Sequence, residues 1–78
     1  MNNDLKKYID AKSDEELVCI IADEYAEKGL SKEELLKAGH EGIDKARKNY
    51  DASKGFQFNA YAVWWIRQAM LVAIESKK

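Results

Sequence analysis

The sequence predicts an all-α fold: a compact bundle of three main helices preceded by a short N-terminal one, in a single domain over residues 1–78. Three observations support this. Proline is absent and glycine occurs only four times, so little in the chain breaks a helix. Two stretches, SDEE at residues 13–16 and SKEE at residues 31–34, match the S-x-x-E box. In that box the serine oxygen accepts the amide three residues on, and the glutamate reaches back to the serine's own amide. Apolar residues recur at spacings of three and four after each box. A hydrophobic content of 46% is that of a folded domain. A chain this short buries only about 60% of the surface it exposes when unfolded, so it has one small core and none to spare.

The elements follow in order. A short, poorly patterned helix is expected over residues 4–11. The first box opens a helix over residues 14–28, with Leu17, Ile20, Ile21 and Tyr25 along one face and Gly29 as its stop. The second box opens a helix over residues 32–49, with Leu35, Leu36, Gly39, Ile43, Ala46 and Tyr50 on its apolar side. YDASKGFQF, residues 50–58, reads as a turn and short connector. Asn59 then fits an N-cap, with Phe58 and Val63 placed as a hydrophobic staple, and the last helix runs over residues 60–76. Repeats, linkers and low-complexity tracts are absent.

Charge and composition narrow the function classes. The net charge of -1 hides a split: residues 1–39 carry six Lys/Arg against ten Asp/Glu, and residues 40–78 carry seven against four. The mildly basic second half is compatible with a nucleic-acid face, although ordinary solvated helix surface is the favoured reading of the charges alone. The single cysteine, Cys19, rules out an internal disulfide and fits a reducing, cytoplasmic setting. No apolar run approaches the roughly 20 residues a membrane span needs, and the N-terminus lacks a signal-peptide core. His40 and Cys19 fall on different helices, so no metal site is expected. Glu15, Glu16, Glu33 and Glu34 read as caps and dipole-favouring acids, not as a catalytic pair. No glycine loop cradles phosphate. No enzyme and no cofactor are expected.

The last helix is the unusual one. At about 100° per residue, Ala62, Ile66, Ala69, Met70 and Ala73 share one side, and Tyr61, Trp64, Trp65, Gln68, Leu71 and Val72 share the other. A helix apolar nearly all round is hard to surround in so small a domain. Either the other helices cover the aromatic side and the tryptophans are core, or that side is a surface. Rings in a row with a bidentate amide at the end suit unstacked bases, because rings stack on bases and glutamine reads a base edge.

The run KGLSKEELLKAGHEGIDKARKNYDASKGFQFNAYAVWWIRQAM, residues 28–70, resembles region 2 of the bacterial RNA polymerase sigma factors of the primary, housekeeping type. The similarity begins at ELVCIIADEYAEKGL, residues 16–30, and YAVWWIRQA is its most specific part. The resemblance implies a compact helical domain that docks on a coiled coil of the largest polymerase subunit. It also implies capture of the non-template single strand of the promoter minus-ten element. Carried over by position, Tyr61 would stack on a flipped-out adenine, and Trp64 and Trp65 would form a wedge at the upstream fork. Phe58 would support strand opening, and Gln68 would read the last paired base upstream. Arg67 would serve phosphate or internal packing, and Lys54 matches a basic position in the turn. Under this reading one tryptophan faces inward and the other borders the groove.

The departures from the family concern docking first. Where the family reads DLIQEGN, the chain reads ELLKAGH: Glu34 keeps the acid, and Lys37, Ala38 and His40 replace Gln, Glu and Asn. Leu71 and Val72 stand where the family has a polar and a basic residue, Gln57 replaces a base, and Ala60 replaces a small hydroxyl residue. The chain is thus expected to be an excised fragment or a free-standing divergent relative. Its function is expected to be promoter binding with weakened polymerase docking. The alternative is a sigma-like interaction or regulatory module that no longer reads promoters.

Overall fold

The computed structural model describes residues 3–55 and 57–77. Its helices are α1 (Asn3–Ile9), α2 (Asp14–Glu24), α3 (Lys32–Asn49) and α4 (Phe58–Lys77), with a short 3-10 turn at Ala52–Lys54 between the last two. No strand occurs among the described residues, so the expected all-α bundle of three main helices and one short one is what forms. Phe56, within the expected connector, lies outside the described residues.

Both serine boxes start helices, but only one closes fully. At α3 the Ser31 oxygen accepts the Glu34 amide at 3.1 Å, and the Glu34 carboxylate accepts the Ser31 amide at 3.0 Å. At α2 the Ser13 oxygen accepts the Glu16 amide at 3.1 Å, while the Glu16 carboxylate takes the Lys12 amide at 3.3 Å. The helix is capped there, with the return bond displaced by one residue.

Two expected boundaries are corrected. The helix predicted over residues 14–28 ends at Glu24, and Tyr25 caps it with its amide turned onto the Ala22 and Asp23 carbonyls. The last turn has no basic residue, and Asp23, Glu24 and Glu27 crowd the negative end of the helix dipole. The apolar period runs on past that point, but the electrostatics do not support it. A turn then leads to Gly29, whose φ of 110° suits glycine. The second correction concerns Asn59. α4 already starts at Phe58, so Asn59 lies inside the helix and is not its N-cap. Its side-chain amide instead donates to the Tyr8, Ile9 and Ala11 carbonyls at 2.9, 3.2 and 3.1 Å. It therefore adds a donor to the Tyr8 and Ile9 carbonyls at the C-terminus of α1 and to the Ala11 carbonyl just beyond it, where helical bonding has ended.

The core is built by α2, α3 and α4. Leu17, Val18, Ile21, Leu35, Ile66 and Met70 are the largest fully buried side chains, each stabilising by about 1.5–3 kcal/mol relative to exposure. On α2 the buried stripe is Leu17, Val18, Ile21 and Ala22, with Ile20 and Tyr25 only half-buried. On α3 Ala38 and Gly42 are buried and Leu36 is only half-buried. Gly42 explains how α3 and α4 approach so closely. A Cβ there would stand 2.7 Å from the Trp65 carbonyl oxygen and 2.9 Å from the Ile66 Cα. Tyr8, 3% exposed, ties α1 to this core.

Candidate nucleic-acid interface

The inner face of α4 is seated by Ala62, Val63, Ile66, Met70 and Ile74, all buried. A helix fixed on that side must turn residues about 100–180° away outward. Trp64 is accordingly 59% exposed, Leu71 42% and Val72 63%. Trp65, one residue on, is half-buried. The tryptophans are therefore not both core: one is wedged at the α3–α4 seam and the other stands in solvent. Their rings meet edge to face, 5.3 Å apart at 88°, the arrangement favoured by ring quadrupoles.

This pair ends a continuous row of rings. Phe58 meets Tyr50 at 5.2 Å, Tyr50 meets Tyr61 at 5.6 Å, and Tyr61 meets Trp65 at 6.3 Å. The Tyr61 hydroxyl donates to the Asn49 carbonyl at 3.2 Å, tying its ring to the end of α3. At the start of the row the Arg47 guanidinium lies 4.5 Å over the Phe58 ring and also bonds the Asp14 carboxylate. The arginine fixes the Phe58 ring and α2 together.

Beside the tryptophans lies a cleft of about 200 Å³ between α3 and α4, lined by Glu41, Lys45, Trp64, Trp65, Gln68, Ala69 and Val72. Gln68 is exposed one turn beyond Trp64. The Trp65 indole Nε1 is buried, with no hydrogen-bond partner among the described residues.

Not every expected contact residue is at this face. Phe58, Tyr61, Trp64, Trp65 and Gln68 come together along the row and cleft, whereas Arg67 sits on another flank of α4. Its guanidinium donates to the Tyr8 hydroxyl at 2.6 Å and pairs with Glu24 at 3.2 Å, and Tyr8 in turn donates to Glu24. Burial pushes the Glu24 carboxyl up, but the Tyr8 hydrogen bond, the Arg67 charge and Lys7 outweigh it and hold the group below its ordinary range. Burial, and then the hydrogen bond to Glu24, push the Tyr8 hydroxyl up to about 12. Of the two roles expected for Arg67, internal packing is the one its contacts match. Lys54 closes the 3-10 turn, exposed, in the connector.

The α3 positions that the resemblance implied for docking are largely engaged within the domain. Glu34 serves the Ser31 cap and pairs with Lys77 at 3.2 Å. The Ser31 amide first, and then Lys77, hold its carboxyl below the usual range. His40 Nε2 lies 3.1 Å from the Glu15 carboxylate. Ala38 is 6% exposed, and Lys37 is exposed.

Sequence reasoning missed Glu41 and Lys45 as cleft residues and placed Tyr50 only on a core face. Glu41 and Lys45 stand four apart, one turn along α3, yet four-residue spacing of charges is common on any solvated helix. The signal existed without being specific.

The sigma-70 region 2 family matches residues 12–78. RNA polymerase sigma factor SigA of Nostoc sp. is 45% identical over 58 residues, covering 74% of this chain and 15% of that protein. SigA of Lactococcus lactis subsp. cremoris is 42% identical over 64 residues, covering 82% of this chain and 18% of that protein. The chain thus spans under a fifth of the length of these relatives. No solved structure matches.

Proposed function

Because the chain belongs to the sigma-70 region 2 family, we propose that it is a transcription-initiation domain that holds the single non-template strand of a promoter minus-ten element on the outer face of α4. The observation that carries this is the exposed Trp64 beside the seated Trp65, at the end of a ring row that includes Tyr61 and next to Gln68. Extruding a base costs a few kcal/mol, and each stacked ring returns about 1–3 kcal/mol, so several rings must act together. Phe58 braces the row, and Tyr61 supplies the stacking face for the extruded base. Lys54 adds charge in the connector. Affinity is modest and salt-sensitive, because few cations border the face.

Tryptophan fluorescence tests this with a matched minus-ten oligonucleotide and a scrambled one. The matched strand binds more tightly, and Tyr61→Ala costs about 1–3 kcal/mol. Equal affinity for both strands, or no effect of Tyr61→Ala, removes base reading.

A second reading, an interaction module without promoter recognition, is favoured by α3. Core polymerase is the expected partner through Glu34, Lys37, Ala38 and His40, yet Glu34 and His40 are already paired and Ala38 is packed. A glutamate at position 38, as the family has, would displace packed neighbours. Pull-down by the isolated polymerase coiled coil, comparing the domain with Lys37→Gln, separates the readings. Gain of binding in the variant supports weakened docking at that site, and equally tight binding by both shows that the departures are tolerated.

A further inference from the structure

The outer face of α4 changes character along its length. Its N-terminal half carries the ring row, and beyond Gln68 it carries Leu71 and Val72, 42% and 63% exposed. Together with Trp64, 59% exposed, they form an apolar strip. At about 100° per residue the three lie within a sector of roughly 100°, with Gln68 inside it. Such a strip on a domain this small marks a contact surface. Leu71 and Val72 offer no cation to a nucleic-acid backbone, so this half of the strip suits protein. On one side the strip borders the α3–α4 cleft, whose far wall carries Glu41 and Lys45. Both are exposed, and neither forms an ion pair among the described residues.

We propose that a second copy of this chain covers the strip, α4 against α4 in antiparallel order about a two-fold axis at Gln68, and that this pairing closes the face to a DNA strand. The pairing stands on the strip and its bordering charges, and the exclusion of DNA rests on the promoter-strand reading above. Three features favour a second copy over a foreign chain. The spacing is self-complementary: Trp64 and Val72 stand four residues to either side of Gln68. A two-fold turn therefore lays each Trp64 on the partner's Val72, and the contact is made twice. A glutamine amide both donates and accepts, so two Gln68 amides meeting at the axis satisfy each other. The charges are self-complementary as well. Glu41 and Lys45 lie one turn apart on α3 with opposite signs, and the same axis reverses their order, so each Glu41 faces the partner's Lys45 along the cleft. One face of a single helix is smaller than the roughly 800 Å² per partner of a standard stable interface. The pairing is therefore weak, and a strand in excess displaces it.

Sedimentation equilibrium of the whole chain from about 10 μM to about 1 mM, in the range of weak association, tests this. The unmodified chain shifts from monomer to dimer as concentration rises. Val72→Arg weakens the association about 10-fold or more. Glu41→Lys weakens it about 5-fold or more by setting like charges together, and adding Lys45→Glu to that variant restores it. Helical circular dichroism stays unchanged in every variant, since all three positions are exposed. A monomer at every concentration overturns the proposal and leaves the strip to nucleic acid or to a different protein. A dimer indifferent to Val72→Arg, or one that the charge exchange does not restore, overturns this interface. Adding the matched minus-ten oligonucleotide separates the two levels. Dissociation of the dimer as the strand binds supports both, and a dimer that binds the strand and stays paired overturns the shared face. A dimer sensitive to Val72→Arg in a chain that binds no oligonucleotide at any concentration supports the pairing and removes the promoter-strand reading alone.

Discussion

Arg67 and Gln68 are neighbours in the chain with opposite situations. Arg67 is held by the Tyr8 hydroxyl and the Glu24 carboxylate, and its flank of α4 spends its polar groups on tying α1 and α2 to the helix. Gln68 stands exposed beside Trp64 and the cleft, and its flank leaves its amide and large apolar surface in solvent. One helical step of about 100° divides scaffold from surface. A flank with its hydrogen bonds closed stabilises the fold, and a flank with donors, acceptors and rings left open has capacity for a ligand.

That contrast breaks most visibly in the core. Ile66 is fully buried, and Ile66→Ala should cost about 2–5 kcal/mol in urea unfolding. A loss under 1 kcal/mol would mean that α4 is not seated as described. Gly42→Ala is next, at about 1–3 kcal/mol, because its Cβ meets backbone atoms of α4 that cannot rotate away. Tryptophan emission should shift with it as the Trp65 seam opens, and unchanged stability and emission would contradict the close approach.

The closed flank also predicts pH dependence. Glu24 is held below its ordinary 4.5, so its contribution is present above about pH 4.5 and is lost as pH falls through the lowered value. Tyr8 is raised from 10.0 to about 12, so its contribution is full below pH 10 and is lost as pH rises toward 12. Unfolding midpoints measured against pH should fall at both ends, and Glu24→Gln should flatten the acid limb. Parallel acid limbs for the two proteins would show that the network does not carry the effect. The smallest change belongs to the open flank. Trp64→Ala should alter stability by no more than about 0.5 kcal/mol while weakening strand binding by about 1–3 kcal/mol. If both quantities drop together, Trp64 is scaffold and the contrast between the flanks fails.

What could be read in advance depended on whether a feature was local. Ser31 with Glu34 closes within one turn, and α3 runs over the residues expected of it. The end of α2 was overrun because hydrophobic period continues through Tyr25 while the charges at Asp23, Glu24 and Glu27 oppose the helix dipole. Asn59 was misassigned because its residue type suits an N-cap, and its actual acceptors, the α1 carbonyls, lie about 50 positions away in sequence. At the candidate interface, Tyr61, Trp64, Trp65 and Gln68 were legible from type and helical spacing. Glu41 and Lys45 were not, since only the packing of α3 on α4 brings them to the same cleft.

The sequence by itself determined the helical class, the serine starts of α2 and α3, the glycine turns and the family. These rest on contacts within a few residues or on a specific linear motif, YAVWWIRQA. Only the tertiary structure decided which tryptophan is seated and which is exposed, which polar side chains are consumed by the scaffold, and that a cleft exists. The physical reason is rotation. A helical period states which residues share a face, but the face that turns inward is chosen by close approach, here by Gly42 against the backbone at Trp65 and Ile66. Once that contact sets α4, Arg67 falls to Tyr8 and Glu24, and Trp64 and Gln68 fall to solvent.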